Sequence, residues 1–200
     1  MVIFNAIILR TLMFLMGLGD GLKVGDQAMD FKLKNIDGQM VSLAGNSQAK
    51  GYILIFTCNT CPYSVAYEDR IIELNQKYAS QGYPVVAVQP NDTQRSPGDS
   101  FDKMKQRAKE KGFDFPYLID ETQEVTRTYG ATNTPHVYVL DRTSKDSFII
   151  KYIGAIDNNS RDASAADKHY VEDAVDNLIK GNPVETDKTK AIGCTIKWAS

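Results

Sequence analysis

The stretch YILIFTCNTCPY, residues 52–63, sets an unbroken apolar run against two cysteines spaced C-x-x-C, Cys58 and Cys61, with Pro62 directly behind them. An apolar run of strand length without polar alternation belongs to a strand covered on both faces, at the centre of a sheet flanked by helices. Beyond the cysteines, Tyr67, Ile71, Leu74 and Tyr78 recur at helical spacing, so a helix with one buried stripe follows. Glu73 and Lys77 suit an i,i+4 pair on its outer side. The local plan is strand, C-x-x-C, helix, with both thiols at the turn.

The rest of the chain keeps alternating. FKLKNIDGQMVSL carries Asp37-Gly38 between two short runs, a hairpin signal because glycine accepts positive φ. YPVVAVQ reads as a second buried strand, NDTQRSPGDS as a polar loop, and SFDKMKQRAKEKG as a helix capped by Asp99 or Ser100 and stopped at Gly112. FPYLID follows as a short strand and ETQEVTRTYG as a short helix. HVYVLD and FIIKYIG are two strands across the turn DRTSKDS. ASAADKHYVEDAVDNLIKG is the last helix, with Tyr170, Ala174, Val175 and Leu178 on one face. At 200 residues this makes one domain, from 23 to 181, with a C-terminal tail over 182–200.

Residues 1–22 are apolar but split by Arg10, a poor transmembrane span. They read as a signal peptide, with TLMFLMGL as its apolar centre and Gly17 and Gly19 near a cleavage site, or as an uncleaved packing helix. Export is the expectation and a cytoplasmic location the alternative. Membrane association is not expected beyond such a signal or anchor. A net charge of −2 offers no basic surface, so no nucleic-acid partner is expected. Three cysteines and two histidines, His136 and His169, are too few and too scattered for a zinc site, and neither a metal nor a cofactor is expected.

Three segments carry a resemblance to the redoxin branch of the thioredoxin superfamily, the branch of alkyl hydroperoxide reductase C relatives and exported thiol-disulfide oxidoreductases. They are VGDQAMDFKLKNIDGQMVSL, IFTCNTCPY and YGATNTPHVYVLD. The resemblance implies an α/β thioredoxin fold: a central mixed sheet flanked by helices, with an N-terminal β-hairpin extension. It also implies that Pro135 is cis and faces the cysteines, and that the backbone of Thr134 pairs with the substrate chain. The partners it implies are protein or small-molecule thiols and disulfides, together with a reductase or other electron donor.

Thiol-disulfide exchange explains these parts, because its attacking species is a thiolate and a helix N-terminus lowers a thiol's pKa. On this reading Cys58 is the exposed nucleophile, and Cys61, one turn on, closes the Cys58–Cys61 disulfide. Pro62 fits a first-turn position, which needs no N–H. His136 is a candidate modulator of the Cys58 thiol, or else a strand residue facing solvent. Cys194, in GCTIKW, is a candidate third redox cysteine, or else an incidental tail thiol.

The sequence departs from thioredoxin in having Thr57 before the first cysteine and Tyr52 where a buried aspartate would stand. Glu68 and Asp69 are expected on a solvated face, which leaves the proton acceptor for Cys61 unassigned. The alternatives are a peroxiredoxin-like peroxidase and a non-catalytic binding module. Against the first, the peroxiredoxin pattern P-x-x-x-T-x-x-C fails in both registers: it puts Cys58 and Leu54, or Ile55 and Gly51, where threonine and proline belong.

Overall fold

The computed structural model describes residues 21–200; the expected signal or packing helix therefore lies almost wholly outside the described residues. The apolar run forms β3 (Gly51–Phe56), buried at every position. It pairs in parallel with β4 (Val85–Gln89) and antiparallel with β7 (His136–Ser144). β5 (Tyr117–Ile119) continues the parallel side, and β8 (Ser147–Gly154) the antiparallel one. The Asp37-Gly38 hairpin is present as β1 (Leu33–Asn35) and β2 (Met40–Val41), with Gly38 at φ +88°. β1 joins β5, giving the seven-strand order β2-β1-β5-β4-β3-β7-β8. The expected mixed sheet with a hairpin extension is thus observed.

Side chains alternate across a strand, so β3 feeds two cores. Ile53 and Ile55 meet α1 (Pro62–Tyr78), whose Tyr67, Ile71, Leu74 and Tyr78 are all buried as the spacing predicts. On the same face lie Met104 and Ala108 of α2 (Phe101–Lys111) and Val171 and Val175 of α4 (Tyr170–Ile179). Tyr52, Leu54 and Phe56 point the other way, onto Val125 and Tyr129 of α3 (Glu124–Tyr129) and onto Ile196 of the tail.

Three local expectations are corrected. The last helix begins at Tyr170 rather than near Ala163, because the Asn158 side chain accepts the amides of Asp167 and Lys168 and the Asp162 side chain accepts that of Ser164. Such side-chain acceptors compete with helical bonding. Lys77 pairs with Glu172 of α4 at 2.5 Å rather than with Glu73. Two further strands are unseen in the sequence: β9 (Cys194–Thr195), in the tail, pairs antiparallel with β6 (Asn133–Thr134), just before Pro135.

Topology places the site. β3 and β4 are parallel, so the loops after both emerge at one edge, the usual place for a site in such sheets. β7 runs antiparallel with His136 opposite Phe56, which sets Thr134-Pro135 beside the C-x-x-C turn.

Candidate active site

Cys61 is the N-cap residue of α1 and Pro62 its first residue, so the cysteine pair sits at the helix N-terminus as the sequence indicates. The Thr134-Pro135 peptide is cis. Thr134 touches both sulfurs: its Oγ1 lies 3.3 Å from Cys58 Sγ, and its carbonyl oxygen lies 3.1 Å from Cys61 Sγ, which donates to it as a thiol. The Cys194 amide donates to Cys61 Sγ at 3.4 Å. Cys194, 133 residues beyond Cys61, therefore joins the C-x-x-C pair around Thr134.

One expectation about the thiols is overturned. Cys58 is not exposed: it and Cys61 each show 3% of their surface, while Cys194 is half-buried and the most open of the three. The surroundings of the two sulfurs also differ. The Cys58 thiol donates to Cys61, burial penalises its anion and the Asp99 carboxylate repels it, so its pKa lies far above the usual thiol range. Cys61 is the opposite case. The Cys58 thiol, the Cys194 thiol and the amides of Ser64 and Cys194 all favour its anion, and together they outweigh burial and bring its pKa down to about 4. The sequence argument for a helix terminus holds, but the terminus serves the N-cap sulfur rather than the one before it.

His136 is also corrected. It is buried, its Nδ1 accepts the Thr132 amide at 3.4 Å, and its ring lies 5.0 Å from that of Tyr138. Burial, with Lys188 nearby, lowers its pKa to about 4, so it is neutral at pH 7 and brings no positive charge to the thiols. It does not face solvent either. Asp69 is exposed and pairs with Lys111 at 2.6 Å, but Glu68 is buried and held by Arg107 through bonds of 2.7 and 2.6 Å. Glu68 also lines, with Cys58, Asn59 and Tyr117, a cavity of about 10 Å³.

Asp99 is the residue that sequence reasoning missed. Of the two cap candidates, Asp99 and Ser100, Ser100 is the N-cap of α2, and the fully buried Asp99 carboxylate turns to the C-x-x-C loop. Its Oδ1 accepts the Asn59 and Thr60 amides at 2.8 and 3.1 Å. Its Oδ2 accepts Thr60 Oγ1, Ser96 Oγ and Asn91 Nδ2 at 2.9, 2.7 and 2.8 Å. Tyr117 completes the clamp by donating to Asn59 Oδ1 at 3.0 Å. The two amides between the cysteines thus point at a carboxylate rather than at Cys58. Among the described residues, no group of three or more His, Cys, Asp or Glu is arranged to hold a metal ion.

A sheet of this order with paired cysteines at the β3–α1 turn and a cis-proline against them defines a thioredoxin-fold redoxin. Residues 24–158 match the AhpC/TSA family, and the chain belongs to it. The thiol-disulfide oxidoreductase ResA of Bacillus thuringiensis subsp. konkukian is 25% identical over 127 residues, 62% of this chain and 67% of that protein. Two solved structures are similar over nearly the whole chain. An uncharacterized conserved protein from Geobacillus kaustophilus has a TM-score of 0.80 at 35% identity, covering 88% of this chain and 93% of its own. A hypothetical protein from Sinorhizobium meliloti 1021 has a TM-score of 0.81 at 32% identity, covering 90% and 97%.

Proposed function

We propose that Cys58 and Cys61 are the exchanging dithiol of this enzyme, with Thr134 and Pro135 forming the wall against which a partner sulfur is presented. The chain is a thiol-disulfide oxidoreductase, the activity named for its ResA relatives. The observation that carries the residue assignment is the Cys58–Cys61 pair at the N-terminus of α1 with Thr134 against both sulfurs. In the reduced protein the surroundings favour an anion on Cys61 over one on Cys58, and when Cys61 ionises it gives up its bond to the Thr134 carbonyl. Attack of the thiolate on a partner disulfide R–S–S–R′ forms a mixed disulfide and expels R′S⁻. The second cysteine then displaces RS⁻ and closes Cys58–Cys61, so two electrons pass to the partner. Partners are protein or small-molecule thiols and disulfides, and a separate reductase or electron donor restores the dithiol.

The reduced protein is expected to accelerate reduction of insulin disulfides by dithiothreitol, and to show no saturable hydrogen peroxide turnover with a thioredoxin recycling system. Cys58→Ser serves as the blank in both assays. Peroxide turnover that depends on Cys58 and exceeds the disulfide activity would replace this reading with a peroxidase. Absence of both activities, with the disulfide able to form, would leave a binding module.

Export is part of the proposal and rests on residues 1–22. Among the described residues no helix is long and apolar enough to cross a membrane. Amino-terminal sequencing of the protein from fractionated cells is expected to begin near Gly17–Gly19 in the extracytoplasmic fraction. An intact Met1 in the cytoplasmic fraction would reject export.

A further inference from the structure

The buried pair raises a problem of access. Both sulfurs are nearly closed to solvent, yet exchange requires a partner sulfur to approach along the S–S axis. The tail lies across the approach. β9 pairs with β6 so that Cys194 stands opposite Thr134, and the Cys194 amide points at Cys61 Sγ. Gly193 makes this seating feasible, because a Cβ there would overlap the Thr134 carbonyl group and crowd Pro135 N.

The domain also holds the tail with a residue in an unfavourable conformation. Gln123 sits at φ +60°, a region a non-glycine residue seldom adopts. Its buried side chain donates to the Pro90 and Lys197 carbonyls at 2.7 and 2.9 Å and accepts the Ala199 amide at 2.8 Å. Past the cysteine, Ile196 is buried in the core, and Arg127 stacks over Trp198 at 4.3 Å. A tail fastened on both sides of its thiol is a built part of the site.

Resting on the reading of Cys58 and Cys61 as the exchanging dithiol, we propose that Cys194 is a third catalytic thiol that carries the disulfide between the buried pair and partners at the surface. In the oxidised protein the Cys194 thiol loses its proton and attacks Cys61 Sγ. The Cys61–Cys194 bond forms, the Cys58–Cys61 bond breaks, and Cys58, whose anion the site disfavours, takes up the proton that Cys194 gave up. No net oxidation occurs in this step.

An external thiol then attacks the more exposed Cys194 sulfur and expels Cys61, the sulfur whose anion the site stabilises and hence the better leaving group. A second external thiol releases RSSR, leaving the protein with two more thiols than it began with. The reverse sequence reduces a partner disulfide. In the reduced protein, burial and the neighbouring Cys61 push the Cys194 thiol up to about 11. Once Cys61 is in a disulfide its charge is gone, so Cys194 is freer to ionise for its attack on Cys61; toward a partner disulfide it attacks through its minor ionised fraction.

The test has two parts. Full-length Cys58→Ser, reduced and then oxidised with glutathione disulfide, is expected to yield an intramolecular Cys61–Cys194 disulfide on non-reducing peptide mapping. Cys61 found only as a glutathione adduct or an intermolecular disulfide would overturn the proposal. In the insulin assay, Cys194→Ser and Gly193→Val are each expected to lose roughly tenfold in rate, since both remove the positioned relay sulfur. Glutathione disulfide should still close Cys58–Cys61 in both variants. Unchanged or faster insulin reduction by the two variants would overturn the relay while leaving the dithiol assignment standing. An insulin rate that Cys58→Ser does not affect would instead reject the dithiol itself.

Discussion

Asp99→Ala is expected to cost on the order of 3–5 kcal/mol of stability, because each buried donor left without its acceptor costs about 1–3 kcal/mol. The loop amides of Asn59 and Thr60 and the Asn91 side chain all lose their partner at once. No neighbouring acceptor is bonded to either loop amide, and the methyl of alanine leaves a polar void. Urea unfolding of the reduced protein measures the loss, and a change under about 1 kcal/mol, ordinary for a surface site, would refute the clamp.

Asp99→Asn separates charge from shape. Its amide oxygen can keep the two loop amides, and the Thr60 and Ser96 hydroxyls can rotate to accept, so only the Asn91 Nδ2 contact turns repulsive. The carboxylate charge that raises the Cys58 pKa is gone, so the Cys58 titration should move to lower pH. Ultraviolet absorbance of the thiolate follows it. A Cys58 titration unmoved by this substitution would mean that Asp99 acts on loop geometry alone.

The features legible in the sequence were those with a local period or a local turn. Five apolar residues in a row marked β3, the Tyr67–Tyr78 stripe marked α1, and Asp37-Gly38 marked the hairpin. The burial of Asp99, a cap candidate, and of Glu68, expected on a solvated face, is hidden in the sequence for a shared reason. Each is buried by a partner from another element, Asp99 by the C-x-x-C loop and Glu68 by Arg107 of α2. Long-range pairing leaves no mark on spacing. β9, at two residues, is too short to show any period. What set Cys194 apart was its segment GCTIKW, and only tertiary structure shows that Thr134 is opposite it. Cys58 is not exposed because Phe113, Phe115 and Tyr117, more than 50 residues further on, close over it together with Glu68 and Ile71 of α1.

The reduction potential of the Cys58–Cys61 couple is expected to fall by about 30 mV per pH unit between roughly pH 5 and 8, half the slope of an ordinary dithiol. The sign follows from proton counting. Reducing a disulfide takes two electrons, and below both thiol pKa values it takes two protons, which gives about 59 mV per unit. Here Cys61 titrates near 4 and Cys58 far above the ordinary range, so across neutral pH the reduced site binds one proton rather than two.

Linkage makes a matching statement about folding. The unfolded chain holds the Cys61 proton up to the ordinary value of 9.0, whereas the folded reduced protein gives it up near 4. Stability of the reduced protein should therefore rise with pH across that window; the gain is complete above 9 and is lost as pH falls through 4. Cys58 acts in reverse: its raised pKa favours the folded state below the ordinary thiol value, and that contribution fades as pH climbs beyond it. Reduced-state stability should thus peak near the ordinary thiol pKa, a maximum that Cys61→Ala abolishes. A redox titration against glutathione at several pH values decides the first point. A slope near 59 mV per unit throughout pH 5 to 8 would show both thiols protonated and would remove the charge from Cys61.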